Sequence, residues 1–344
     1  MLVGLCGGIC AGKQSVANFL IDHCGFQVLH LAETASRAAP KQAASGAIER
    51  GQTSNPKSFG FSDTEALLDF VTRNWNKRWL TTEICVWDEE LVEILLRRPF
   101  FLLVSVDAPL GIRWSRYKAR CERQLQTPPT LEDFVIRNDA HLYDPLSGVV
   151  RLTDRAEVRL LNSTSSLESL HAAVSTLDLT NDERLRPSWD QYFMRLAALA
   201  AQRSNCMKRR VGCVLVRDRR VISTGYNGTP RNLRNCNEGG CPRCNDGNGA
   251  GVGLATCLCI HAEENALLEA GRERIREKTI LYCDTCPCLT CSIKITQVGI
   301  SEVVYSQAYS MDTETAAVFK EGGVHLRQFS PPRNGLIDLA SLPI

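Results

Sequence analysis

Along this chain, short apolar runs alternate with segments whose apolar residues recur at helical spacing. Residues 1–5 form a continuous apolar run, as expected of a strand covered on both faces. A glycine-rich turn follows, and Val16, Phe19 and Leu20 then recur on one helix face. Further strands are predicted over 100–106 and around Leu160 and Leu161, with a helix over 166–174. Strands alternating with helices predict a parallel sheet, so residues 1–178 read as one α/β domain. Residues 179–186 are polar and end at Pro187, which marks a linker. Beyond it an amphipathic helix is predicted from Trp189 to Ala201, then strands over 211–216 and 220–224 with Asp218 and Arg219 between them. Strands over 279–283, 302–305 and 324–328 and helices from His261, from Cys288 and over 313–321 complete a second domain, 187–330. Residues 331–344 read as a tail.

A length of 344 residues suits two domains. The formal net charge is +2 and no dense Lys/Arg block occurs, which argues against a stable nucleic-acid partner. The first four residues lack the basic start of a secretory signal, and no apolar run reaches membrane-spanning length. A cytoplasmic protein, with the nucleus as a second location, is expected. There are 16 cysteines, eleven of them beyond residue 187. In a reducing compartment such clustering points to metal rather than to crosslinks.

The first apolar run leads into Cys6-Gly7-Gly8-Ile9-Cys10-Ala11-Gly12-Lys13-Gln14-Ser15. Strand, glycine-rich turn and helix form the setting of a P-loop, where backbone N–H groups cradle phosphates and a lysine reaches them. Gly7, Gly12 and Lys13 fit that pattern. Gln14 stands where a magnesium-binding hydroxyl belongs, and Ser15 is one residue late. Asp107 can serve as a Walker-B-like acid, with Arg113, Arg116 and Arg120 on the helix after it. This domain distantly resembles the dephospho-coenzyme A kinases. The resemblance implies phosphate binding at Gly7, Gly12, Lys13 and Ser15, and three readings stand: binding without phosphotransfer, a loop kept for folding, assembly or regulation, and an active kinase, to which the departure at Gln14 is the main objection. Residues 32–61, rich in Ala, Ser, Gly and Lys, read as a flexible insertion.

Two stretches in the second domain carry chemistry: Cys259-Ile260-His261-Ala262-Glu263-Glu264-Asn265-Ala266 and Thr285-Cys286-Pro287-Cys288-Leu289-Thr290-Cys291. Cys288 and Cys291 are three apart and share a helix face, with Pro287 expected in the first turn. A helix N-terminus favours the thiolate that binds metal. His261, Cys288 and Cys291 make three ligands and leave the fourth tetrahedral position for water, as catalytic zinc requires. Glu263 is two residues past His261, placed to meet that water and not the metal. Glu264 reads as part of a solvated helix face.

His-x-Glu followed by Pro-Cys-x-x-Cys resembles the signature of zinc-dependent base deaminases. With Arg203-Ser204-Asn205-Cys206 and Gly225-Tyr226-Asn227-Gly228-Thr229-Pro230, the stretch 187–330 closely resembles the deoxycytidylate (dCMP) deaminase family, in its fungal form with an N-terminal P-loop-like extension. The resemblance implies a cytidine-deaminase-like α/β/α domain built on a five-stranded mixed sheet. It implies hydrolysis of dCMP to dUMP and ammonia, the dUMP serving thymidylate synthesis, with Glu263 as proton shuttle beside a zinc-activated water. Asn227 would contact the sugar, Ser204, Asn205 or Arg203 the phosphate, and Asn265 would support the site. It further implies a homo-oligomer, often a hexamer, activated by dCTP with Mg²⁺ and inhibited by dTTP, with Gly225, Tyr226, Gly228 and Arg272 as effector contacts. The alternatives are a deaminase of free cytidine, riboflavin precursors or tRNA adenosine, and, from another class, a zinc-ribbon binding module.

Cys206, Cys236, Cys241, Cys244, Cys257 and Cys259 remain, most of them in a loop rich in Gly and Asn. A loop without an apolar core needs a staple, so a second, structural zinc is expected at Cys206, Cys236, Cys241 and Cys244, with Cys259 as substitute. Cys283 and Cys286 read as packing residues.

Overall fold

The computed structural model describes residues 1–31, 58–87, 89–145, 147–164, 166–247, 249, 252–308, 312–330 and 335–342. Of the insertion expected at 32–61, only its end falls within these residues, and there it forms a strand; 32–57 lie outside them. The chain divides into two compact units, Met1–Arg186 with Arg333–Ile344, and Pro187–Pro332.

The first unit is built on seven parallel strands: β1 (Leu2–Gly7), β2 (Gln27–Leu31), β3 (Ser58–Phe61), β4 (Trp79–Thr81), β5 (Phe101–Asp107), β6 (Val158–Leu161) and, from the far end of the chain, β12 (Gly335–Asp338). Their order is β12-β6-β5-β1-β4-β2-β3, and all pairings are parallel. The tail expected over 331–344 is therefore no tail: Gly335 to Asp338 pair with Val158 to Leu161 and extend the sheet edge. Ile337, Leu339 and Leu342 are buried in the core. The continuous apolar runs follow from burial on both faces. Val3 and Leu5 of β1 join Leu102, Val104 and Val106 of β5 on one side, while Leu2 and Cys6 join Phe101 and Leu103 on the other.

The second unit carries β7 (Gly212–Arg217), β8 (Arg220–Tyr226), β9 (Ile280–Thr285), β10 (Glu302–Gln307) and β11 (His325–Gln328) in the order β11-β10-β9-β7-β8. β7 runs antiparallel to both its neighbours, whereas β9, β10 and β11 are mutually parallel, giving the mixed sheet. Period-two alternation again sorts the two faces. Cys213 and Leu215 meet the Ala262–Ala270 and Leu289–Val298 helices; Val214 and Val216 meet the Trp189–Ala201 helix. Ser188 caps that last helix. Asp190 in its first turn accepts from Tyr282 Oη (2.8 Å) and from Arg327 Nη1 (2.7 Å), which ties the helix start to β9 and β11. Among the described residues, no helix is long and apolar enough to cross a membrane.

Candidate metal centre and active site

Two helices begin side by side, and each begins on a metal-type ligand. His261 is the N-cap of Ala262–Ala270 and Cys288 the N-cap of Leu289–Val298, with extended backbone at both. Pro287 thus stands before the cap, not in the first turn as expected, and Cys291 is the third helical residue. The Pro287 carbonyl accepts from the buried Thr315 hydroxyl at 2.9 Å, which fixes the chain just ahead of Cys288.

His261 Nδ1 lies 3.3 Å from Cys288 Sγ and 3.4 Å from Cys291 Sγ. A tetrahedral zinc with the usual bond lengths sets nitrogen and sulfur about 3.6 Å apart, so the donor set suits that ion and leaves one position open. The electrostatics agree. The Cys288 thiol is drawn down to about 3 by its hydrogen bond with Cys291 and then by those with His261 and Thr290. His261 is raised to about 9, chiefly by Cys288, and Cys291 is pushed up by sharing the proton of Cys288. Three groups divide protons among themselves where one dication would satisfy all of them.

Glu263 sits one residue into its helix and is 4% exposed. Burial pushes its carboxyl up to about 7, against the opposing pull of its own backbone N–H and of His261. A carboxyl with that affinity can both take and return a proton near neutral pH. Glu264, its neighbour, faces outward onto Lys294 Nζ at 2.7 Å.

The other expected residues fall into two sets. Asn227, Ser204 and Asn205 come together. Asn227 Oδ1 accepts from the Val211 N–H (2.8 Å) and the Ser204 hydroxyl (2.7 Å), and its Nδ2 donates to the Arg209 carbonyl (2.7 Å). Asn205 Nδ2 donates to Asn235 Oδ1 at 2.8 Å, and Asn265 Nδ2 to the Tyr226 carbonyl at 2.8 Å. Arg203, by contrast, is exposed, as is Arg272. Gly225 and Tyr226 end β8 instead of opening a loop. Gly225 is buried for packing: a Cβ there would fall 2.1 Å from the Ala262 carbonyl oxygen, so only glycine lets the strand approach the helix that carries Glu263. Gly228 is likewise buried against Asn205.

The six loop cysteines do gather, with Cys259, the expected substitute, in place of Cys241 in the first-choice set. The sulfurs of Cys206, Cys236, Cys244 and Cys259 lie within 4.8 Å of one another, and so do those of Cys241, Cys244, Cys257 and Cys259. Cys241 leaves the anticipated quartet because it caps the short Pro242–Asn245 helix and meets Cys257 (3.9 Å), while its sulfur accepts from the Leu258 N–H. Cys257, one of the six but outside the first-choice set, meets Cys241 and Cys244 in the fold. Asp284 and Thr315 were also unforeseen. Burial raises the Asp284 carboxyl, and it adds to the upward push on Glu263. Cys283 is buried opposite Cys213 in the core, and Cys286 is buried too.

At the P-loop-like turn, Lys13 begins the Lys13–Cys24 helix and its Nζ donates to the Gly7 (2.7 Å) and Gly8 (2.8 Å) carbonyls. Gly12 has φ +110°, and a Cβ there would meet Asn162 Nδ2 at 2.3 Å. Asn162 Nδ2 and Arg116 Nη1 both donate to the Ala11 carbonyl. Gln14 is exposed and donates to Asn18. Ser15 is half-buried in the first helical turn.

A buried carboxyl beside one imidazole and two thiols, at paired helix starts on a five-stranded mixed sheet, defines a zinc-type base deaminase. Residues 187–307 match the family described as "Cytidine and deoxycytidylate deaminase zinc-binding region". The chain is 46% identical to the deoxycytidylate deaminase of Schizosaccharomyces pombe over 97% of its own length and 99% of that protein's. It is 44% identical to the deoxycytidylate deaminase of Saccharomyces cerevisiae, covering 96% of this chain and 97% of that one. A solved dCMP deaminase from the cyanophage S-TIM5, in complex with dCMP and dUMP, is 29% identical, covering 42% of this chain and 98% of that chain with a TM-score of 0.35. Matched end to end with the two yeast proteins, the chain belongs to the deoxycytidylate deaminase family.

Proposed function

We infer that this chain hydrolyses dCMP to dUMP and ammonia, and that Glu263 moves the protons. The observation that carries the assignment of Glu263 is its burial, with an affinity near 7, beside His261, Cys288 and Cys291. Those three residues hold zinc, which when bound supplies a water acidic enough to attack at neutral pH. Glu263 accepts a proton from the attacking water and delivers it to N3 of cytosine as oxygen joins C4. The C4–N4 bond then breaks with a second proton passed through Glu263 to the departing amine, so water and dCMP become dUMP and ammonia. Enclosure excludes bulk water, which would otherwise lower the carboxyl's affinity.

The Ser204–Asn227 pair and Asn205 frame the sugar and phosphate end, and exposed Arg203 meets the phosphate. Half-buried Tyr226 and exposed Arg272 are the accessible members of the expected effector set, and on this reading dCTP with Mg²⁺ activates and dTTP inhibits a homo-hexamer. The loop cysteines hold a structural zinc. Of the readings open for Gly7, Gly12, Lys13 and Ser15, we take the loop kept for folding, because Lys13 Nζ is spent on the Gly7 and Gly8 carbonyls. The compartment is one that keeps thiols reduced, the cytoplasm or nucleus.

The test is ammonia release by the full chain from dCMP, CMP and cytidine, for the natural protein and Glu263→Gln. Deamination of dCMP well above the other two, lost by at least about 10³-fold in the variant with zinc content unchanged, is expected. Turnover by Glu263→Gln near the natural rate would refute the assignment.

A further inference from the structure

The loop that precedes His261 has a core made of sulfur. Cys236, Cys241, Cys244 and Cys259 are buried, and the side chains that complete their cluster are Cys206 and Cys257. Among the described residues, no aliphatic or aromatic residue belongs to it. Something other than apolar burial must order this segment.

The sulfurs are spaced for metal. Cys206 and Cys244 are 3.9 Å apart, Cys241 and Cys257 3.9 Å, Cys244 and Cys257 3.7 Å, and Cys244 and Cys259 4.0 Å. Disulfide sulfurs sit at about 2.0 Å. Two thiolates on one tetrahedral zinc sit about 3.8 Å apart, as its Zn–S bonds of about 2.3 Å require. The six do not form one group. They form two groups of four, and Cys244 and Cys259 belong to both.

We propose that these six cysteines hold two zinc ions in a single cluster, one ion on Cys206 and Cys236, the other on Cys241 and Cys257, with Cys244 and Cys259 bridging both. This rests on the reading of the loop as a structural zinc centre and deepens it. One ion would use four sulfurs and leave two thiols, one of them buried, against a charged centre. Two ions use every sulfur, and each reaches four ligands only by sharing, because among the described residues no His, Asp or Glu joins either group. Six thiolates on two dications leave an excess of negative charge, and donors surround it. The Met207 N–H donates to Cys236 Sγ and the Leu258 N–H to Cys241 Sγ, each at 3.4 Å. Arg243, itself buried, places Nη1 4.0 Å from Cys257 Sγ. Such outer contacts orient thiolate ligands and stabilise their charge.

The cluster would also brace the catalytic centre. Cys259 lies two residues before His261, and Ile260 between them pairs with Gly228 beside the Asn205 side chain. Holding Cys259 from two ions fixes the segment that delivers His261.

The experiment is zinc counting on the purified full chain by native mass spectrometry. Three ions per chain are expected, one at His261, Cys288 and Cys291 and two in the loop. Two ions would overturn sharing while leaving a single structural zinc, and one ion would overturn the structural zinc altogether. Cys206→Ser and Cys257→Ser test the halves separately, and each is expected to lose one zinc from its own side. If either leaves the count unchanged, the bridged arrangement fails. Should both variants fail to fold, ¹¹³Cd NMR of the cadmium-loaded natural chain decides: two all-sulfur resonances coupled to each other are expected, and uncoupled resonances refute the bridge.

Discussion

The two units place conspicuous motifs in opposite conditions. In the first, the P-loop-like turn has spent its polar groups on itself: Lys13 on the Gly7 and Gly8 carbonyls, Asn162 and Arg116 on Ala11. In the second, His261, Cys288 and Cys291 have chiefly one another to share protons with, and Glu263 is buried at the cost of a raised proton affinity. A motif that closes its own hydrogen bonds holds a turn together, whereas one left electrostatically unsettled awaits a ligand. The same sequence grammar, strand then turn then helix start, underlies both.

The sharpest way to break this contrast is to remove one ligand. Beyond the loss predicted for Glu263→Gln, Cys288→Ser should lower ammonia release from dCMP by more than about 10³-fold, since the open metal position that generates the nucleophile is lost. Zinc analysis should show one ion fewer, and activity retained with zinc lost would sink the three-ligand site.

In the first unit the matching substitution should touch stability instead. Asn162→Ala removes a buried donor to the Ala11 carbonyl and an acceptor of the Thr164 hydroxyl. Denaturation of the full chain should show a loss of about 1–3 kcal/mol while deamination is unchanged. A drop in turnover with no loss of stability would mean that the turn serves the reaction.

Asp190 provides a pH test within the second unit. Burial pushes its carboxyl up, but Arg327 and Tyr282 overcome that and hold it below its ordinary value of 3.8. Its contribution is therefore fully present above about pH 4 and is lost as pH falls through the lower folded value. Asp190→Asn should cost about 1–2 kcal/mol at pH 7, and the difference should vanish in strong acid. A difference that persists in strong acid would show that packing, not charge, is what the variant disturbs.

Two smaller effects finish the series. Thr315→Val, which frees the Pro287 carbonyl, should cost about 1 kcal/mol and lower turnover modestly with zinc retained. Lys13→Ala should leave basal deamination of dCMP unchanged, and a clear fall would tie the first unit to the reaction.

What could be read in advance was what lay close together along the chain. His261 and Glu263 are two residues apart, Cys288 and Cys291 three, and both pairs mark helix starts, so local spacing carried their geometry. The long runs of β1 and β5 were equally plain. The partition of the loop sulfurs was not, because Cys206 reaches Cys244 only after β7 and β8 have folded between them. Short strands also escaped. β4 has three residues, too few for alternation to declare itself, and β12 joins its sheet from the far end of the chain, across the whole second unit. Pro287 misled by two positions: proline before the cap and proline after it look alike in sequence, and only the extended backbone at Cys288 separates them.

The return of β12 to the first sheet sets a timetable for synthesis. The ribosome delivers β1 to β6 first, yet β6 keeps an open edge until all of residues 187–332 has emerged. An unpaired strand edge can recruit other chains, so of the two units the one begun first is the last to be sealed.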